Sequence, residues 1–309
     1  MTMKPSPSWR QVLAFTVSAI AMCATLTAAT LPADAASRTP RDAVGYRIHP
    51  VHAGSRYLAL GDSVPFGFRE ATNQPLPDYT DAASFVGYPE DVAAELSLRT
   101  ANASCPGETS ASLIHAYAPS NGCESAAGGS GPGYRDAFPL HVGYRASQLH
   151  FAVHYLQGHR DTRLVSLMIG ANDALLCQGS TADHCVSELP AVLNQIATNV
   201  ATILKRIRGE AGYRGQIVIV NYYSLNYSSP LANAQSQTLN QAVDAGAKSH
   251  HVRFADGFGT FQRAAAQAGG DSCAAGLLTT LSTGGCGVHP SVAGQELLAG
   301  AIERVVSKR

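Results

Sequence analysis

Charge is what this sequence is short of. Only 14% of its 309 residues are Asp, Glu, Lys or Arg, and 22 basic residues cancel 22 acidic ones to a formal net charge of +0. No long-range field draws such a chain to nucleic acid or to an anionic lipid surface, so neither is expected as a partner. There is no C-x-x-C pair, which argues against a zinc site. No Gly-Lys-Ser/Thr follows the glycine-rich stretch Gly128-Gly-Ser-Gly-Pro-Gly133, which therefore reads as a surface loop and not as a phosphate cradle. Internal repeats and a second domain are also lacking. What is abundant is apolar: 45% of the residues are hydrophobic, enough to exclude disorder and to fill the core of one large α/β domain.

One apolar run of near-membrane length exists, from Val12 to Leu31, behind Lys4 and Arg10 and ahead of Ala33-Asp34-Ala35. A positive start, an Ala-rich run and small residues at the cleavage positions describe an export signal over residues 1–35, removed from the mature protein. The rival is an uncleaved anchor; the Ala/Thr-rich run and the placed cleavage site favour removal. Cys23 follows Met22 and is not a lipidation site. Loss of Lys4, Arg10 and Asp34 leaves a mature charge of −1. The organisation expected is a signal peptide (1–35), a loosely packed arm (36–54) and one large α/β domain (55–309). The mature protein is expected to be secreted and monomeric, without stable membrane insertion.

Six cysteines remain after cleavage, and an even number in an exported chain implies disulfides. They fall in sequence neighbourhoods of two, so the pairs expected are Cys105–Cys123, Cys177–Cys185 and Cys273–Cys286.

Apolar runs predict strands at 56–60, 99–104, 163–169, 216–220 and 251–255. Helical spacing covers 88–98, 145–156, 189–208, 232–249 and 292–306. Strands alternating with helices call for a parallel sheet covered on both faces, with ligands at the carboxyl ends of its strands. Ser63, in Gly61-Asp62-Ser63, stands directly after the first strand. The motif is not G-x-S-x-G, because position 65 is Pro65, so the nucleophile elbow of α/β-hydrolases is excluded. A serine nucleophile needs a base, and His289, held extended by Pro290, is a candidate. Acyl transfer also needs donors for a developing oxyanion; Ser63 N–H, Gly107 N–H and the Asn172 amide, each after a strand, supply three.

Four blocks now stand in order: Tyr57-Leu-Ala-Leu-Gly-Asp-Ser63, Asn102 to Gly107 with Glu108-Thr109, Gly170-Ala-Asn172-Asp173, and Val288-His289-Pro290. In these the chain resembles the SGNH or GDSL hydrolases, and among them the disulfide-bearing secreted actinobacterial esterases and lipases. The resemblance implies a three-layer α/β/α sandwich with a five-stranded parallel sheet (the flavodoxin-like arrangement). It implies Ser63 as nucleophile, His289 as base, and Ser63, Gly107 and Asn172 as oxyanion hole. The activity implied is hydrolysis of carboxylic esters through an acyl-serine, without cofactor or metal; phospholipase and polysaccharide deacetylase activities use the same machinery. Many members carry Asp three residues before the catalytic His, where this chain has Cys286. The expected orienting group is therefore a backbone carbonyl near Cys286, with Asp271 as rival.

Two readings from other classes compete. His150 and His154 share a helix face with His159 beyond, as a metal-dependent hydrolase would require. A non-catalytic surface-binding module would have no need of both Ser63 and His289. Asp62 and Asp173 are expected to cap or brace loops. Phe66, Phe68, Tyr222 and Tyr223 are candidates for an acyl pocket or for packing. Substrate choice is expected to reside in loops 64–82 and 117–143.

Overall fold

The computed structural model describes residues 48–126 and 131–308. The segment expected to be an export signal, the expected arm up to residue 47 and part of the glycine-rich loop lie outside the described residues. From its start the described chain runs β1 (Arg56–Gly61), α1 (Ser63–Phe66), α2 (Tyr88–Leu96), β2 (Arg99–Asn102), α3 (Ser110–Ile114), α4 (Tyr134–Ala137), α5 (Gln148–Gly158) and β3 (Thr162–Met168). It continues with α6 (Ala171–Ser180), α7 (Leu189–Gly209), β4 (Gln216–Val220), α8 (Pro230–Ala247), β5 (Arg253–Ala255), α9 (Gly257–Ala265), β6 (Leu278–Thr280), β7 (Cys286–Pro290) and α10 (Val292–Val305).

Side chains alternate between the faces of a strand, and here both faces are apolar. Leu58, Leu60, Val165, Leu167, Ile217 and Ile219 point to one side, where Leu149 and Val153 of α5 and Ile196, Val200 and Ile203 of α7 meet them. Tyr57, Ala59, Leu164, Met168, Val218 and Val220 point to the other, against Val92 of α2, Phe261 of α9 and Leu298 and Ile302 of α10. The α7 residues recur at helical spacing, which is why this long helix lies along the sheet. Each fully buried Leu or Ile contributes roughly 1.5–3 kcal/mol. The result is the expected three-layer sandwich on five parallel strands in the order β2-β1-β3-β4-β5.

That order places a topological switch point between β1 and β3, because the chain leaves β1 in one direction and returns to the other side of it. Ligand crevices open at the carboxyl ends of the strands flanking such a point. Gly61 at the end of β1 is paired with Met168 at the end of β3, so Ser63 and Asn172 follow neighbouring strand ends. The small antiparallel hairpin β6–β7 stands outside the main sheet.

Within the expected arm, Val51 is anchored to the domain: it is buried, its N–H donates to the Ser307 carbonyl at 2.9 Å, and it bridges to Lys308. Among the described residues no helix is long and apolar enough to cross a membrane.

Candidate active site

Gly61 ends β1 at φ +139°, and a Cβ there would lie 2.1 Å from the Met168 carbonyl oxygen. Only glycine lets the nucleophile turn pass this close to β3. Asp62 then caps α1, accepting from Val64 N–H at 3.0 Å and from the Tyr222 hydroxyl. Burial lifts the Asp62 carboxyl to about 6, against the opposing pull of those two donors. Ser63 is the first residue of α1, so its N–H has no partner within the helix.

His289 lies on β7. Its Nε2 is 2.9 Å from Ser63 Oγ and its Nδ1 2.8 Å from Glu70 Oε1. An ionised carboxylate only accepts, so Nδ1 carries the ring proton and Nε2 is left to accept from the Ser63 hydroxyl. Glu70 also accepts from Val288 N–H at 2.9 Å and, through Oε2, from the Thr279 hydroxyl at 2.6 Å. Burial pushes the Glu70 carboxyl up, but the His289 bond and charge together with Thr279 outweigh it and hold the group at about 2. Gly287 makes room for this approach: a Cβ there would lie 1.9 Å from Glu70 Oε1.

Glu70 therefore occupies the place expected for a carbonyl near Cys286 or for Asp271. Asp271 is used elsewhere, accepting from Cys273 N–H at 2.8 Å and Ala274 N–H at 3.1 Å as a turn cap. No motif marks Glu70. It stands seven residues after Ser63, in the loop assigned to substrate choice, and only the return of the β6–β7 hairpin brings it to His289. An aromatic cluster of Phe66, Phe85 and Tyr134, with Phe68, Tyr79 and Phe138 packed on it, holds that loop, and the Tyr79 hydroxyl donates to the Arg69 carbonyl at 2.7 Å.

Gly107 and Asn172, the other predicted residues, are linked to each other through Asn121. Gly107 adopts φ +83° and follows β2. Asn172 lies in the first turn of α6 and is buried; its Oδ1 accepts from Asn121 Nδ2 at 2.9 Å. Among the described residues neither Asn172 Nδ2 nor the N–H groups of Ser63 and Gly107 have an acceptor. Asp173 braces the neighbouring α3, taking Ser110 N–H at 2.8 Å and its hydroxyl at 2.6 Å; burial lifts its carboxyl to about 6.

The aromatic candidates divide. Phe66 is core, whereas Phe68 presents its ring to His289 with centroids 4.9 Å apart. Tyr222 holds Asp62, and the Tyr223 hydroxyl donates to the Val288 carbonyl at 2.6 Å. Both tyrosines brace the loops that carry Ser63 and His289. His150 and His154 meet edge to face, while His159 turns onto Tyr155 and bonds its carbonyl at 2.9 Å, so the three do not converge. Cys105, Glu108 and Cys123 lie close enough to share an ion, but the two sulfurs are joined to each other and neither is a thiolate. All three expected disulfides are present: Cys105–Cys123, Cys177–Cys185 and Cys273–Cys286.

The fold is shared with an acetylxylan esterase from Geobacillus stearothermophilus (TM-score 0.50, 17% identity, covering 83% of this chain and 95% of that one). It is shared equally with a phospholipase A1 from Streptomyces albidoflavus (TM-score 0.51, 18% identity, 82% and 100%). No curated protein matches by sequence. Residues 59–297, from within β1 into α10, match the family model for GDSL-like lipases and acylhydrolases. The chain belongs to the GDSL-like lipase/acylhydrolase family.

Proposed function

We propose that the protein is an exported carboxylic-ester hydrolase that acts through an acyl-serine intermediate on Ser63. The observation that carries this reading is the relay Ser63 Oγ to His289 Nε2 at 2.9 Å and His289 Nδ1 to Glu70 at 2.8 Å. In this reaction Ser63 Oγ attacks the ester carbonyl while its proton passes to Nε2. Glu70 keeps the ring in the productive tautomer and stabilises the imidazolium that forms. The carbonyl oxygen becomes an oxyanion held by the N–H groups of Ser63 and Gly107 and by the Asn172 amide, each such donor being worth ~10²–10³ in rate. His289 then protonates the leaving alcohol, and water, deprotonated by the same ring, releases the acid.

Export is supported by the leader pattern at 1–35 and by three disulfides, which persist in oxidising compartments. The two structural neighbours named above act on acetylated xylan and on phospholipid, which keeps short acyl groups and lipid esters together as the substrate range.

Fluorophosphonate labelling, mapped by peptide mass, tests the proposal. A single adduct on Ser63, abolished in Ser63→Ala and strongly slowed in His289→Ala, is expected. A folded, disulfide-intact protein that takes no label would refute it.

A further inference from the structure

We infer that Asn121 is a positioning residue that aims the oxyanion hole. The inference rests on the serine-hydrolase reading above and concerns a residue that no motif marks.

An asparagine amide has a donor end and an acceptor end, and only the donor end helps a developing oxyanion. Asn172 is 6% exposed, so its neighbours decide which end faces the substrate. Asn121 Nδ2 donates to Asn172 Oδ1 at 2.9 Å. This occupies the acceptor end and leaves Nδ2 as the group presented outward. The same residue fixes the second donor segment. Asn121 N–H donates to the Gly107 carbonyl at 2.8 Å, and a Cβ on Gly107 would lie 2.6 Å from the Asn121 carbonyl oxygen. One residue thus holds the Gly107 backbone by its main chain and the Asn172 amide by its side chain. The Cys105–Cys123 disulfide ties the two segments together on either side of these contacts, with its Cα atoms 5.7 Å apart. Asn121 acts through Asn172 and Gly107 without being one of the three donors.

The test compares Asn121→Ala with Asn121→Asp. Both keep the backbone contacts. Alanine frees the Asn172 amide to turn either way, and kcat should fall by about 10–10²-fold, short of the ~10²–10³ expected when an oxyanion donor is lost outright. Aspartate has nearly the same shape but only accepts. It draws Asn172 Nδ2 toward itself and turns the carbonyl oxygen to the substrate, so Asn121→Asp should be slower than Asn121→Ala. In both, KM for a short-chain 4-nitrophenyl ester should be nearly unchanged. Because the two asparagines act as one unit, Asn121→Ala added to Asn172→Ala should cost little beyond Asn172→Ala alone.

Circular dichroism and thermal melting establish that each variant is folded. If wild type labels and turns over but Asn121→Asp is as fast as Asn121→Ala, or the double variant falls by the product of the single effects, the role given to Asn121 is wrong. If wild type neither labels nor turns over, the hydrolase reading itself fails, and the Asn121 inference with it.

Discussion

At Glu70 a single carboxylate decides how His289 is held. Glu70→Gln keeps the shape but can offer an N–H to Nδ1, which favours the tautomer whose Nε2 cannot take the Ser63 proton. The comparable change in a serine protease costs about 10⁴ in kcat, and a loss of the order of 10²–10⁴ with little change in KM is expected here from steady-state kinetics. Asp271→Asn is the matched control: its carboxylate caps a turn and does not touch His289, so turnover should stay within about twofold, as for surface changes away from the chemistry. Gly287→Ala gives a second route to the same relay. The new methyl would take the space of Glu70 Oε1, 1.9 Å away, and of Thr279 Oγ1, 2.5 Å away. Kinetics should resemble those of Glu70→Ala while the fold is kept; a fully active Gly287→Ala would show that the relay does not need Glu70 where it lies.

At the scale of elements, His289 sits on a hairpin that belongs to no large sheet and draws little support from its own two short strands. Its anchors include Glu70, the Tyr223 hydroxyl, a backbone bridge from Asn73 to Leu281 and the Cys273–Cys286 disulfide, which closes a loop with a sequence separation of 13. A crosslink over a loop of that length contributes ~3 kcal/mol by chain entropy. Replacing both cysteines by serine should therefore lower the melting temperature and also kcat, because the hairpin carries His289. The Cys177–Cys185 pair, with a separation of 8 and at the end of α6, touches none of the reacting groups; its removal should lower stability alone. Parallel calorimetry and kinetics on the two double variants separate the cases.

For the whole molecule, burial of carboxylates sets how stability changes with pH. Asp62 and Asp173 are lifted to about 6 and Glu124 to about 7, in each case chiefly by burial. Between the unfolded carboxylate range near pH ~4 and those values the folded protein holds protons that the unfolded chain has released. Stability therefore falls as pH rises through that window. Glu70 and Asp183, held at about 2, have the opposite sign: their contribution is present above the unfolded range and is lost as pH falls toward 2. Melting temperature should be highest near pH ~4, decline up to about pH 7, and change little from these groups above that. A melting temperature that climbs steadily from pH 5 to pH 8 would contradict this assignment.

Much of this protein follows from local pattern. The β1, β3 and β4 runs are apolar on both faces, and the long helices carry apolar residues at helical spacing; both are properties of neighbouring residues in the chain. Order along the chain then implies a parallel sheet, and a serine after β1 and an asparagine after β3 acquire meaning from that order. The cysteines pair within their sequence neighbourhoods because each pair closes a short loop. The short helices α3, α6 and α9 and the β6–β7 hairpin escape such reading, since few buried apolar residues mark them; α6, for instance, buries only Asn172 and Cys177. Tertiary structure alone decided what orients His289 and Asn172. Glu70 is 219 residues from His289, and Asn121 is 51 from Asn172. A hydrogen bond across such distances leaves no spacing to detect, because it depends on where two loops close against the sheet and not on either loop's own sequence. Asp271, near in sequence to His289, is bound by its own turn, and a distant carboxylate took the place because a glycine at position 287 left room for it.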